Sequence, residues 1–268
     1  MRIAIQGQAG SFHDQVASDW YGSSYEMLAC TTFAEVFEAY DSGEADAIVT
    51  AVENSIYGSI NDVYQLIEDC EAPIIGEVKQ EIDQCLIGKS GTNLSDITEI
   101  YSHPVALAQC RETLHRLCPN AELIEFFDTA GAVEYVSSLE GKTAAAIAGA
   151  AAASLYQLPI LKASVQDSPH NITRFLILEA QDADESADRS SLVITTNHQP
   201  GALVEVLSVF AGAGINLAKL QSQPIIGEPW KYKFFIVVDC AGDALRQIVA
   251  EIEKSDHQVT LLGEYKAA

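Results

Sequence analysis

Asn171-Ile172-Thr173-Arg174-Phe175 sets an amide, a hydroxyl and a guanidinium almost side by side, at the mouth of the apolar run Phe175-Leu176-Ile177-Leu178. The run reads as a buried strand, on which alternate side chains share a face. Asn171 and Thr173 are then expected on one face and Arg174 on the other. Arg174 is the only arginine between Arg116 and Arg189. Beside an apolar strand it needs an anionic partner or a cage of carbonyls, because unpaired burial of a cation is costly. The block reads either as a structural ion pair at a strand entry or as one wall of an anion site.

Four further polar clusters sit where strands give way to helices. Gly7-Gln8-Ala9-Gly10-Ser11-Phe12 is a glycine turn feeding a helix start, which offers backbone N–H groups to an anion or simply caps with Ser11. Glu53-Asn54-Ser55-Ile56-Tyr57-Gly58-Ser59 follows the apolar stretch ending at Val52. Polar side chains at the carboxyl end of a strand lie where open α/β sheets hold ligands. Ser102-His103-Pro104 leads into a helix with Gln109-Cys110, and Asp128-Thr129-Ala130-Gly131 repeats the layout. Each cluster alone is satisfied by capping. Their recurrence at strand ends is what suggests a shared cleft.

The elements that must position these groups alternate. Arg2 to Ile5 reads as a strand, Ser11 onward as a helix, Thr32-Phe33-Ala34-Glu35 as a capping box, and Asp46 to Val52 as a buried strand. Ile60 to Ile67 is helical, Ile74 to Leu86 one long strand or crossover, Ile97 to Tyr101 a strand and Pro104 to Leu117 a helix. Leu123 to Phe127 is a strand and Thr129 to Ser138 a helix. Ala144 to Ala153, nearly all Ala and Gly, reads as a helix lying very close to a sheet. Strand–helix alternation implies layered α/β architecture with a largely parallel sheet. Residues 179–189 are acidic and lack large apolar groups, which reads as a linker. After it comes the order βαββαβ, the ferredoxin-like split: strand Ser191–Thr196, helix Gly201–Ala213, strand Ile215–Pro224, strand Tyr232–Asp239, helix Ala241–Lys254 and strand Val259–Glu264.

The 268 residues suffice for two domains, and 48% apolar content allows a proper core. With 15 Lys and Arg against 38 Asp and Glu, the net charge is −23. That argues against nucleic acid and anionic membrane as partners, since both need clustered cations. A small anionic substrate needs only one or two. The cysteines at 30, 70, 85, 110, 118 and 240 form no CxxC pair, so no metal spacing is expected. Neither a signal peptide nor a stretch of about 20 apolar residues is visible, and a reduced cytoplasm is the expected home.

Taken together, these clusters closely resemble prephenate dehydratase over nearly the whole chain. The carriers are the glycine turn with Ser11-Phe12, Glu53-Asn54-Ser55 with Gly58-Ser59, Ser102-His103-Pro104 with Gln109-Cys110, and Asn171-Ile172-Thr173-Arg174-Phe175. Leu155-Tyr156-Gln157-Leu158 and Val165-Gln166-Asp167 also fit. The final unit resembles an ACT domain through Gly201-Ala202-Leu203, Gly214-Ile215-Asn216-Leu217 and Trp230-Lys231-Tyr232-Lys233-Phe234-Phe235. The resemblance implies a two-lobed, periplasmic-binding-protein-like catalytic domain at 1–180, with lobe one about 1–78 and 162–180 and lobe two about 79–161. A linker at 181–190 and a regulatory domain at 191–268 would follow.

The implied reaction removes a ring carboxylate as CO₂ and a hydroxyl as water, turning prephenate into phenylpyruvate. Aromatisation drives it, so no cofactor or metal is expected. Thr173 would contact the leaving hydroxyl and Arg174 the pyruvyl carboxylate. Asn54, Ser55, Ser102, Thr129 and Asn171 would orient the substrate with neutral donors, and Glu53 would be turned away or protonated. Phenylalanine, as effector, would meet Gly201, Ala202, Leu203, Asn216, Leu217 and Ser222 at a domain–domain interface in a homodimer or homotetramer.

Departures are few. Ala51-Val52 stands where the family often has Pro-Ile, and His13, where Ser or Thr is common, reads as helix surface. A family Glu-Ser-Arg-Pro motif stands here as Gln221-Ser222-Gln223-Pro224, which makes a purely structural dimerisation module the alternative to an effector site. Two rival functions remain: an arogenate dehydratase, with Glu53 meeting the substrate ammonium, and a non-catalytic amino-acid sensor.

Overall fold

Strand β1 (Arg2–Gln6) buries Ile3, Ala4 and Ile5 and pairs in parallel with β2 (Glu26–Cys30) and β3 (Ala47–Asn54). Helix α1 (Phe12–Tyr21) starts where expected, the Ser11 hydroxyl accepting from the Asp14 N–H. The capping box forms at α2 (Phe33–Asp41): Thr32 accepts from the Glu35 N–H, and Glu35 reaches back to the N–H of Thr32. A short β4 (Gly58–Ser59) folds onto the end of β3, and α3 (Asn61–Asp69) follows. The computed structural model describes residues 1–22, 24–181 and 186–268. They form two units, 1–63 with 78–175 and 64–77 with 176–268.

The stretch from Ile74 to Leu86, expected as a long strand or crossover, is a crossover carrying two strands. β5 (Ile74–Glu81) belongs to the first sheet and β6 (Cys85–Gly88) to a second. Between them the backbone pairs with the returning chain: Ile82 N–H donates to the Asn171 carbonyl (2.8 Å), Val165 N–H to that of Gln84 (2.8 Å), and Gln84 N–H to the Gln166 side chain (3.0 Å). Two crossing segments thus replace a continuous ladder.

The second sheet takes β7 (Glu99–Ser102), β8 (Glu122–Glu125), β9 (Ala144–Ala148) and β10 (Ile160–Lys162), in the order β10-β6-β9-β7-β8. β11 (Ile172–Glu179) returns to the first sheet, ordered β2-β1-β3-β11-β5. The expected helix over 104–117 is broken into α4 (Pro104–Gln109) and α5 (Arg111–Leu117). Asp167 causes the break. Its N–H donates to the Gln109 carbonyl (2.7 Å), and its carboxylate accepts from Glu112 N–H (3.0 Å) and Thr113 N–H (2.8 Å). One residue thus ends the first helix and caps the second. α6 (Thr129–Ser138) and α7 (Ala150–Leu155) complete this part.

The alanine-rich run overturns its helical reading. Ala144–Ala148 is the central strand of the second sheet, and only Ala150–Leu155 is helical. Alanine's helix propensity is a weak preference that tertiary burial overrides. Ala146 and Ala148 pack with Ala130, Ala132 and Val133 of α6, whereas Ala145 and Ile147 pack with Leu107, Cys110 and Leu114. A strand covered by helices on both faces reads as a continuous apolar run.

In the second unit β12 (Arg189–Thr195), β13 (Leu217–Pro224), β14 (Tyr232–Val238) and β15 (Gln258–Tyr265) form an antiparallel sheet in the order β13-β14-β12-β15. Helices α8 (Ala202–Gly212) and α9 (Gly242–Glu253) supply Val206, Phe210, Leu245, Ile248 and Ile252 to its core. This is the expected βαββαβ split. Residues 64–77 belong here too: Tyr64 meets Phe235 edge-on at 4.6 Å, and Lys233 pairs with Glu68 (2.5 Å). Arg189 joins the fully buried Glu77 (2.5 Å) to Asp239 (2.6 Å). Of the linker expected at 181–190, residues 182–185 lie outside the described residues, and Arg189 and Ser190 already belong to β12. No helix among the described residues is long and apolar enough to cross a membrane.

Candidate active site

The ends of β3 and β11 meet side by side, and their alternation sorts the polar residues. Asn54, Asn171 and Thr173 point together. The Asn54 amide donates to Asn171 Oδ1 (2.7 Å) and to Thr173 Oγ1 (2.9 Å). Its own Oδ1 accepts from the N–H groups of Ile56 and Tyr57, both at 3.0 Å. Those two backbone donors fix the orientation of the amide. Gln109 closes the cluster by accepting from Asn171 Nδ2 at 3.0 Å. The sequence reading named Gln109 as a motif residue but gave it no place in the site. Its position at the last turn of α4, opposite Asp167, is a tertiary fact without a local signal.

Because Thr173 Oγ1 accepts from Asn54, its own proton is left to point elsewhere. Thr173 and Asn54 line a cavity of about 370 Å³. The cavity wall includes Phe33, Phe175 and Ile82, together with His13, His103, Gln109, Asp128 and Thr129. Residues from both sheets of the first unit therefore converge on it.

The other expected site residues lie elsewhere. Arg174 occupies the opposite face of β11, where its guanidinium stands 3.7 Å from the Glu53 carboxylate. Ser55 staples the two strand ends, donating to the His170 carbonyl (3.0 Å) and accepting from Ile172 N–H (2.9 Å). Ser102 is fully buried and donates to the Ile147 carbonyl at 2.6 Å, which ties β7 to β9. Of the neutral donors expected around the substrate, Asn54 and Thr129 line the cavity. Asn171 stands behind Asn54.

The glycine turn is occupied by the protein itself. Gly7 N–H donates to the Cys30 carbonyl (2.9 Å), and Gly10 N–H to the Asp14 carboxylate (2.8 Å). Gln8 N–H serves Asp128, which also caps α6 through Gly131 N–H (2.9 Å). A Cβ at Gly7, where φ is +103°, would come within 2.9 Å of Asp128 Oδ1, so the close approach requires glycine. Burial raises the Asp128 pKa, against the opposing pull of the Gly131, Thr129 and Gln8 N–H groups.

His13 is not helix surface. Its Nε2 accepts from Ala51 N–H at 3.2 Å, and its ring meets Phe175 edge-on with centroids 4.9 Å apart. Burial, and secondarily His103, lower its pKa to about 3, so the imidazole is neutral. Burial also lowers the pKa of His103, whose Nδ1 accepts from Val105 N–H (3.3 Å) at the start of α4. The six cysteines are free thiols.

In the second unit, Gly201, Ala202 and Leu203 line a surface cavity of about 310 Å³ with Thr196, His198, Gln199, Tyr232 and Phe234. Gly201 starts α8 with φ +91°, and a Cβ there would meet nothing. Asn216 donates to Asp239 (2.8 Å). Leu217 stands opposite Val238 and Ser222 opposite Phe234, while β12 runs from Ser190, also opposite Val238, to Thr195 opposite Lys233. Asn216 and Leu217 are therefore at one end of the sheet and Gly201 near the other, about 17–20 Å away at strand rise. One copy of the chain does not bring them together.

The prephenate dehydratase family model matches residues 3–183, and the ACT domain model matches residues 190–257. A bifunctional chorismate mutase/prephenate dehydratase from Aquifex aeolicus is 33% identical, covering 100% of this chain and 74% of that protein. A bifunctional N-acyl-homoserine lactone acylase/prephenate dehydratase from Komagataeibacter europaeus is 34% identical across 99% of this chain and 96% of its own. Among solved structures, prephenate dehydratase from Arthrobacter aurescens in complex with L-Phe superposes with a TM-score of 0.89 at 27% identity, covering 100% of this chain and 90% of the other.

Proposed function

The chain belongs to the prephenate dehydratase family, and we propose that its cleft converts prephenate to phenylpyruvate with Thr173 at the departing hydroxyl. The observation that carries this reading is the orientation of that hydroxyl. Asn54 donates to Thr173 Oγ1, so the Thr173 proton is the one free to point into the cavity. In the reaction the electron pair of the ring–carboxylate bond enters the ring, CO₂ leaves, and the C–O bond to the hydroxyl breaks as the ring aromatises. The departing oxygen takes up one proton and leaves as water. Threonine is too weak an acid to supply that proton outright. It acts by donating a hydrogen bond that strengthens as negative charge builds on the oxygen.

Arg174 is held by Glu53 on the far face of β11. Arg174 is not among the residues that line the cavity, so we assign the pyruvyl carboxylate to the neutral donors of the cavity wall and Arg174, with Glu53, to holding the strand end. Glu53 lies against Arg174 rather than in the cavity wall, which favours prephenate over arogenate. The test is an ultraviolet assay for phenylpyruvate from prephenate, run beside arogenate. No phenylpyruvate above background supports the sensor reading instead.

Phenylalanine binding is assigned to the second unit. Since Gly201–Leu203 and Asn216–Leu217 stand apart in one copy, a site using both is completed by a second copy, and the enzyme is a homo-oligomer. Exposed Val204, Leu220, Ile226 and Trp230 are consistent with such a surface. Titration calorimetry of the full chain with phenylalanine tests this, and no heat supports the dimerisation module. The home proposed for the enzyme is the cytoplasm.

A further inference from the structure

The cavity wall holds one side chain whose hydrogen bonding is only half used. His13 Nε2 accepts from Ala51 N–H at 3.2 Å. Among the described residues, its other nitrogen, Nδ1, has no hydrogen-bond partner. That nitrogen is not sealed off from solvent either, and the ring lines the same cavity as Thr173 and Asn54. A neutral imidazole has one N–H, and the nitrogen that accepts a backbone hydrogen bond cannot carry it. The proton therefore sits on Nδ1. Phe175, edge-on at 4.9 Å, and Phe33, at 5.9 Å, hold the ring plane.

We propose that His13 is a substrate-binding residue, which donates a hydrogen bond from Nδ1 to a carboxylate or ketone oxygen of the bound substrate. The inference rests on the dehydratase reading for the identity of that substrate. The donor is fixed in direction by Ala51 and by two aromatic rings. It adds no charge to the cleft, because burial keeps the imidazole neutral. It stands on α1 of the first sheet, while Thr129 and His103 face the cavity from the second. The substrate is thereby held from a third direction besides β3 and β11.

Two variants separate the two nitrogens. His13→Gln keeps an acceptor at the Nε2 position for Ala51 N–H and removes the donor at Nδ1. His13→Asn keeps a donor near Nδ1 and removes the acceptor. Wild-type turnover of prephenate is measured first, since its absence defeats the dehydratase reading itself. With turnover in hand, H13Q is expected to raise KM by about tenfold or more, the usual value of a hydrogen bond to a charged group. H13N is expected to raise it less, although it loses more thermal stability. A wild-type KM in H13Q, or a larger KM rise in H13N than in H13Q, overturns the proposal and leaves His13 a packing residue. Nitrogen-15 NMR of the wild-type imidazoles reads the same contact without a variant. Saturation with phenylpyruvate should shift the protonated Nδ1 signal of His13, and an unmoved signal at saturation also overturns it.

Discussion

At the scale of single residues, the account depends on orientation rather than on charge. Asn54 takes its orientation from two backbone N–H groups and passes it to Thr173. Asn54→Asp keeps that acceptor but replaces the donor with a second oxygen. The variant should fold and lose about a hundredfold in kcat, the low end of what a positioned proton donor contributes, with KM changed far less. Steady-state kinetics check this. His13 gives a stability prediction with a definite sign. Its pKa falls from 6.5 unfolded to about 3 folded, because burial opposes the charge and His103 adds to the effect. The folded state thus favours the neutral ring. Its contribution is fully present above pH 6.5 and is lost as pH falls toward 3, by at most about 1.4 kcal/mol per unit. Urea unfolding between pH 7 and 5 should show that loss in the wild type and a shallower one in H13Q.

At the scale of elements, legibility followed the range of the signal. The Thr32–Glu35 capping box and the helix over Thr129–Ser138 are local, and both stand as read. The alternation that put Thr173 and Arg174 on opposite faces of β11 is equally local, and it holds. What failed depended on distant partners. The break at Cys110 comes from Asp167, and the strand at Ala144–Ala148 comes from helices covering both its faces. The amide of Gln109 reaches the site only through that break, which is why its type and position gave no warning. Asp167→Ala should cost about 1 kcal/mol, the value of a lost helix cap. Activity should change far less, because the contact to Gln109 is made by the Asp167 backbone N–H, which alanine keeps. Paired thermal melts and kinetics check both halves. Ala146→Leu should cost about 1–3 kcal/mol by overpacking the buried sheet.

At the scale of the whole molecule, charge and assembly are the open quantities. A net charge of −23 makes the folded chain repel itself. Raising salt from 0.1 to 1 M shortens the screening length from about 10 to about 3 Å, so Tm should rise across that range in calorimetry. Within the second unit, Arg189 bridges buried Glu77 and half-exposed Asp239. Arg189→Ala breaks the buried pair with Glu77 and should cost about 3–5 kcal/mol. The composition argues against nucleic acid and anionic membrane as partners. No local pattern showed that the residues expected at the effector site sit at opposite ends of one sheet, because only the β12–β14 and β13–β14 registers set that distance.

The central claim is that the Thr173 hydroxyl, oriented by Asn54, assists departure of the substrate hydroxyl. Turnover of prephenate by Thr173→Ala and Thr173→Ser tests it most directly. Loss of about a hundredfold or more in kcat for the alanine variant, with KM little changed and the serine variant retaining most activity, is the predicted result. Near-normal turnover by Thr173→Ala would contradict the account.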